Sequence, residues 1–381
     1  MTRLDRRQLL RLLASLPALG LAPARPLAAG RERRILVLLE LKGGNDGLNT
    51  LIPHGDPAYY ALRPKLSIPE SKVLKLDDGF GLHPALEPLL PAWRGGEMAW
   101  IMGLGYPHPN RSHFRSIEIW ETASDPEEYL DKGWLTRVLP ARHRLQGISI
   151  GGDAGPLGGG RLNVLQMQGL REFLRMSRRI QAVAAHTANP ALAHVLAVRN
   201  RIQANARQLA RKLSDPRLPD VAFPKSRLGR RLQTVARVIA SGLDVPVFKV
   251  AHGSFDTHVK QPNRHRQLLH QLAVALAAFR ETLLRLNVWD EVLVVTYSEF
   301  GRRAAENAGG GTDHGTAAAH LALGGQVKGG LHGRPPSLAA LQDGDLAHTT
   351  DFRALYHTIA SQWLRRPSPW TDHQALDFLR A

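Results

Sequence analysis

Acids, histidines and one serine in this chain stand at glycine-rich breaks that directly follow apolar runs. Asp46 lies in Gly43-Gly44-Asn45-Asp46-Gly47, and Asp256 and His258 lie in Gly253-Ser254-Phe255-Asp256-Thr257-His258. Glu299 opens Glu299-Phe300-Gly301-Arg302, and Asp313 and His314 close the loop that begins Gly309-Gly310-Gly311. Carboxylate oxygens and imidazole nitrogens brought to one place can hold a divalent cation. In Asp256-Thr257-His258, extended backbone puts the acid and the imidazole on one face, because side chains alternate with period two. Ser112, flanked by Arg111 and His113, is the candidate nucleophile. A serine hydroxyl attacks poorly near neutral pH unless a base or a divalent metal lowers its effective pKa. Arg111 or Arg302 could hold two oxygens of a phosphate or sulfate in bidentate fashion.

Each of these residues also has a local use. Asp46 suits the left-handed conformations of a turn, Glu299 can pair with Arg302 or Arg303, His314 can cap a helix, and Ser112 can cap the helix expected around Ser116 to Thr122. Their joint placement at strand ends favours a site.

The elements that must position them read as an α/β fold. Arg34 to Glu40, Ala99 to Gly103, Val245 to Val250 and Glu291 to Tyr297 are near-continuous apolar runs of strand length, with a short strand expected near Leu321 to Gly325. Such runs belong to parallel sheets covered on both faces, whose carboxyl edge binds ligands. Between the last two long runs, Leu268, Leu269, Leu272, Leu276, Phe279 and Leu283 mark a helix from Arg264 to about Leu286. Strand, helix and strand in that order imply a right-handed crossover.

With 381 residues, 43% hydrophobic and 22% charged, the chain can bury a full core, which excludes a disordered or collagen-like protein. No cysteine is present, so disulfides, thiolate metal sites and a cysteine nucleophile are excluded. The formal charge is +17. Residues 171–240 alone carry 15 Lys and Arg against three acids, a basic helical insertion read either as a solvated face or as a surface that attracts polyanions. Residues 30–381 are expected to form a single domain around that insertion.

Residues 1–29 begin with Arg6-Arg7 ahead of a modest apolar run, Leu9 to Leu21, followed by small-residue stretches at Ala22-Pro23-Ala24 and Ala28-Ala29-Gly30. This resembles a twin-arginine export signal. It implies passage through the twin-arginine translocation machinery to a periplasmic or secreted location. The mature chain shows no segment apolar enough to span a bilayer.

Taken together, Leu41 to Thr50, Arg111-Ser112-His113-Phe114, Gly253 to His258, Ser298 to Arg302 and Gly311 to Gly315 resemble the domain-of-unknown-function family numbered 1501, a branch of the alkaline phosphatase and sulfatase superfamily. The likeness runs from about Arg34 to about Leu364. It implies a three-layer α/β sandwich with a mostly parallel central sheet, and a metal-dependent hydrolase of phosphate or related sulfate esters. Carried over motif by motif, Asp46 and Glu299 resemble ligands of one metal site and Asp256, His258 and His314 those of another, with Asp313 as a further ligand. Ser112 would be the nucleophile, with His113, Arg111 and Arg302 around it. Zinc, manganese, magnesium or calcium is the implied cofactor. The substrate would be an anionic ester, small or polymeric, rather than nucleic acid. Without cysteine, the cysteine-derived formylglycine of many sulfatases cannot form. The alternative is an envelope binding or assembly protein that keeps the fold, has lost turnover and docks polyanions on its basic helices.

Overall fold

Alternation along β1 (Ile35–Lys42) sets the layers. Ile35, Val37, Leu39 and Leu41 enter one apolar cluster while Leu36 and Leu38 enter another, since successive side chains of a strand face opposite ways. A strand buried on both sides needs such an unbroken apolar run. The computed structural model describes residues 33–142, 144–177, 187–213 and 218–380. The expected leader at 1–29 lies outside them, as do Arg178 and Arg179 of the basic segment.

After β1, the short strands β2 (Leu51–Ile52), β3 (Leu74–Lys75) and β4 (Gly81–Leu82) pair antiparallel in the order β2-β4-β3. The remaining strands join β1 in one sheet: β5 (Met98–Gly105), β6 (Gly147–Ile150), β7 (Val164–Met167), β8 (Val247–Gly253), β9 (Val292–Tyr297), β10 (Ala318–Leu323), β11 (Gly330–His332) and β12 (Thr350–Asp351). Its order is β11-β5-β10-β9-β1-β8-β6-β7, with β12 also on β5. Strand β1 pairs parallel with β8 on one side and β9 on the other. Among the described strands of this large sheet, only β10 opposes its neighbours.

Helices Arg227–Ala240 and Gln261–Arg285 cover one face through Leu228, Leu232, Val235, Leu269, Leu276 and Phe279. Helices His113–Thr122 and Phe352–Thr358 cover the other through Ile119, Trp120, Phe352 and Leu355. The fold is therefore a three-layer α/β sandwich on a mostly parallel sheet. Two expectations change. The strand expected at Leu321 starts at Ala318 and runs antiparallel, and helix Arg227–Ala240, expected within the insertion, packs into the main core. Among the described residues, no helix is long and apolar enough to cross a membrane.

Candidate metal centre

Tight backbone approaches join three loops at the carboxyl edge of β1, β8 and β9. Gly43 has φ +115°, and a Cβ there would lie 2.4 Å from the backbone nitrogen of Asp256, so only glycine lets the β1 and β8 loops meet. Its N–H donates to Glu299 Oε1 at 2.9 Å. Arg302, 1% exposed, completes the seam: it donates to the carbonyls of Gly43, Gly44, Phe255 and Thr312 and, at 2.7 Å, to Asp256 Oδ1. A guanidinium with these five acceptors orders the loops and is not free to clasp an oxyanion as the sequence suggested.

Around Asp256 stand three imidazoles. Ligand atoms of His113, Asp256 and His314 lie within 4.8 Å of one another. His258 Nε2 is 3.0 Å from Asp256 Oδ1 and 3.0 Å from His314 Nε2. His314 Nε2 lies 3.4 Å from Asp256 Oδ1, and His113 Nε2 3.6 Å from Oδ2.

The opposite nitrogen of each ring is held by an acceptor. His113 Nδ1 meets Glu299 Oε1 at 2.8 Å, His258 Nδ1 meets Asp313 Oδ1 at 3.0 Å, and His314 Nδ1 meets the carbonyl of Arg111 at 2.9 Å. A carbonyl or carboxylate only accepts, so a neutral ring with its hydrogen on Nδ1 satisfies that contact and leaves an Nε2 lone pair for a cation, whereas a ring protonated on both nitrogens meets Asp256 from Nε2 as well. The Nε2 atoms of His258 and His314 stand 3.0 Å apart. With both hydrogens on Nδ1 they repel unless a proton or a metal cation is shared there. Imidazoles fixed through the far nitrogen by carboxylate or carbonyl are the usual surroundings of a bound metal, and the donor set fits a divalent ion.

The electrostatics agree with these contacts. Burial opposes ionisation of Asp256, but the hydrogen bond and charge of Arg302 hold its carboxyl below the usual range. Glu299 is likewise held low against its burial by His113. The hydrogen bond to Glu299 raises the pKa of His113, whereas burial lowers that of His314. Hydrogen bonds from Asn307 and then His258 keep Asp313 low.

Of the residues expected at a site, His113, Asp256, His258 and His314 come together, with Glu299 and Asp313 orienting two of the rings. Asp46 does not join them. It is buried against Arg63, whose Nη1 reaches its two oxygens at 2.9 and 2.7 Å, and it also accepts from Gln261 and from the backbone of Asn49. This carboxylate closes its own turn and ion pair. Arg111 is engaged with Asp345. Ser112 occupies the N-cap of helix His113–Thr122 but makes no side-chain cap bond, and its exposed hydroxyl sits next to His113 in the chain. Sequence reasoning missed Arg63, Gln261 and Asn307. Arg63, between Leu62 and Pro64, carried no signal, whereas Gln261 stands four residues after Thr257 and bonds it. His113, expected only as a flank of the nucleophile, is a potential ligand.

The family model for a protein of unknown function, DUF1501, matches residues 162–364. Among solved structures, the chain is similar to a protein in the alkaline phosphatase superfamily from Vibrio parahaemolyticus, at 12% identity and a TM-score of 0.37, with 79% of this chain and 62% of that chain covered. It thus spans less than two thirds of that protein's length. The C-terminal periplasmic domain of EcEptC from Escherichia coli, in complex with Zn, matches at 10% identity and a TM-score of 0.40, covering 92% of this chain and 84% of that one. The lipoteichoic acid synthase LtaP from Listeria monocytogenes matches at 11% identity and a TM-score of 0.33, covering 77% and 66%. No curated protein matches the chain. The family model takes in more than half of the sequence, including the β8 and β9 loops that carry Asp256, His258, Glu299 and His314, and the chain belongs to the DUF1501 family.

Proposed function

We propose that this protein is a metal-dependent hydrolase of phosphate or sulfate esters, with His113, Asp256, His258 and His314 holding the ion and Ser112 as nucleophile. The observation that carries the reading is the convergence of three imidazole Nε2 atoms on one carboxylate, each ring fixed through Nδ1 by an acceptor. Imidazole-rich sites suit zinc or another first-row metal better than magnesium or calcium. A divalent ion held there would offset charge on the ester oxygens and make a nearby hydroxyl more acidic.

The chain's own groups supply the rest. Hydrolysis then takes two displacements: Ser112 Oγ replaces the ester oxygen at phosphorus or sulfur, the proton it gives up leaving on the departing alcohol, and water then replaces Ser112 Oγ, returning one proton to it and releasing the inorganic anion. Helix His113–Thr122 begins at the cluster, so its positive end faces the anionic group. Glu299, Asp313 and Arg302 hold the rings and Asp256 in place. The leader with Arg6-Arg7, read as an export signal, directs this activity outside the cytoplasm in our reading.

Elemental mass spectrometry of the purified protein tests the metal centre. The wild type should retain close to a stoichiometric amount of a transition metal, and a double Asp256→Ala, His258→Ala variant should lose it. A chain that binds none even after reconstitution overturns the reading. Ser112→Ala should keep the metal and lose about 10³-fold in kcat on an aryl phosphate or aryl sulfate. Unchanged turnover would remove Ser112 from the mechanism.

A further inference from the structure

Five arginines line one cavity of about 510 Å³ away from the histidine cluster: Arg171, Arg227, Arg230, Arg231 and Arg237. Glu172 is the one acid among its described lining residues. Among the described residues, none of the five is in an ion pair. Arg231 Nη1 donates to the carbonyl of Ala251 and Arg230 to that of Lys225, while the buried Nε of Arg237 has no partner. Carbonyl contacts fix a guanidinium without neutralising it. Burial, and then the charges of Arg227 and Arg230, depress the pKa of Arg231, as expected where positive charge is gathered without counter-charge.

The cavity is built rather than incidental. Gly151 has φ +84°, and a Cβ there would lie 2.0 Å from Arg231 Cζ, so the guanidinium lies against bare backbone at the end of β6. Ser226 caps helix Arg227–Ala240 by accepting from Gly229 N–H, and this fixes the helix that presents four of the five arginines.

We infer that this cavity binds a linear phosphorylated or sulfated polymer with a hydroxylated, non-aromatic backbone. Several guanidiniums in a space larger than one anion suit successive anionic groups, each able to take bidentate hydrogen bonds. The amides of Gln168 and Gln233, also in the lining, can meet hydroxyls. No aromatic side chain lines the cavity among the described residues, so it lacks the stacking platform with which proteins hold single-stranded nucleic acid. The segment Gln168–Leu170 follows β7, and Asp256 follows β8. Two strand spacings, roughly 10 Å, separate these parallel strands, so the cavity segment and Asp256 leave the same carboxyl edge of the sheet. A polymer anchored on the arginines reaches that edge. Binding needs no turnover, so this inference stands or falls separately from the ester chemistry.

Fluorescence anisotropy with a labelled dextran sulfate fragment tests it, on the wild type, on an Arg171→Gln, Arg227→Gln, Arg230→Gln variant, and on an Arg94→Gln, Arg264→Gln, Arg334→Gln variant that removes the same charge elsewhere. All six side chains are exposed, and circular dichroism melts check folding. The cavity variant should bind at least tenfold more weakly, and its slope of log affinity against log salt should fall by about 2, near 0.7 for each lost contact. The control variant should stay within twofold of wild type. Equal losses in both variants would reduce the effect to diffuse charge and overturn the site. Single-stranded DNA of matched charge binding as tightly as dextran sulfate would reassign the surface to nucleic acid. Displacement of the fragment by an equal molar amount of inorganic sulfate would reduce it to a single-anion site.

Discussion

Strand β8 carries Lys249 in its middle and leads, three residues past its end, to Asp256, and the two positions are surrounded in opposite ways. Lys249, 1% exposed, places Nζ 2.8 Å from Glu121 and 3.2 Å from Glu40 and also meets Asp153. Tyr297 adds a hydroxyl donor to Glu121 at 3.1 Å. There the chain supplies the cation for its own carboxylates. Around Asp256 three imidazole rings turn Nε2 toward one carboxylate, whose charged partner is Arg302. A buried cluster that supplies its own counter-charge holds the layers together. One at an open sheet edge, where imidazole nitrogens converge on a single carboxylate, is the place where we propose that a cation enters from outside.

The largest effect should come from removing the internal cation. Lys249→Met leaves Glu40 and Glu121 buried without a partner, and breaking such a buried set costs about 3–5 kcal/mol. Urea denaturation should show that loss, whereas His258→Ala measured in chelator should cost less than about 1 kcal/mol, because its ring is partly exposed and opposes His314. If the two variants lost equal stability, the contrast between the clusters would fail.

A smaller effect separates the groups that orient the rings. Glu299→Gln and Asp313→Asn each swap a carboxylate for an amide behind a ligand histidine, and losses of this type weaken metal binding about 10–100-fold. Glu299 is 3% exposed and Asp313 is open to solvent, so competition with a metal indicator should place the Glu299 variant at the high end of that range and the Asp313 variant at the low end. The reverse order would show that Asp313 binds the ion directly.

How much of this was legible in the sequence depended on run length and on what each loop residue could see locally. The strands β1, β5, β8 and β9 announce themselves as apolar runs, and the acids and histidines at their ends follow from the sheet's parallel order. The strands β6, β7, β11 and β12 have two to four residues each, too few to display a period. Helix Arg227–Ala240 was absorbed into the basic insertion because Arg230, Arg231 and Arg237 mask the apolar face of Leu228, Leu232, Val235 and Ile239. The tertiary partners of the site were illegible for a different reason. That Asp46 meets Arg63, or that Arg302 donates to backbone 258 residues away, depends on folding and leaves no mark in local spacing. His113 was visible as a residue but not as a ligand, since its partner Glu299 is 186 residues on.

The finest test of the contrast is a pH slope. Burial raises the pKa of Glu121 from 4.5 to about 7 despite the charge of Lys249, because Asp153 and Glu40 crowd the same cation. Between those two values the folded chain holds a proton that the unfolded chain has released, so this group's contribution to stability is full below about pH 4.5 and is lost as pH rises to about 7. Glu121→Gln has no such proton to lose. Urea midpoints of both proteins, taken in chelator from about pH 4 to about pH 8, should therefore show the wild type declining relative to the variant between 4.5 and 7 and running parallel to it above and below. The subtraction removes the titration of the histidines at the sheet edge, which both proteins share. Curves parallel across the whole range would mean that Glu121 stays ionised in the fold, held by Lys249 and the Tyr297 hydroxyl.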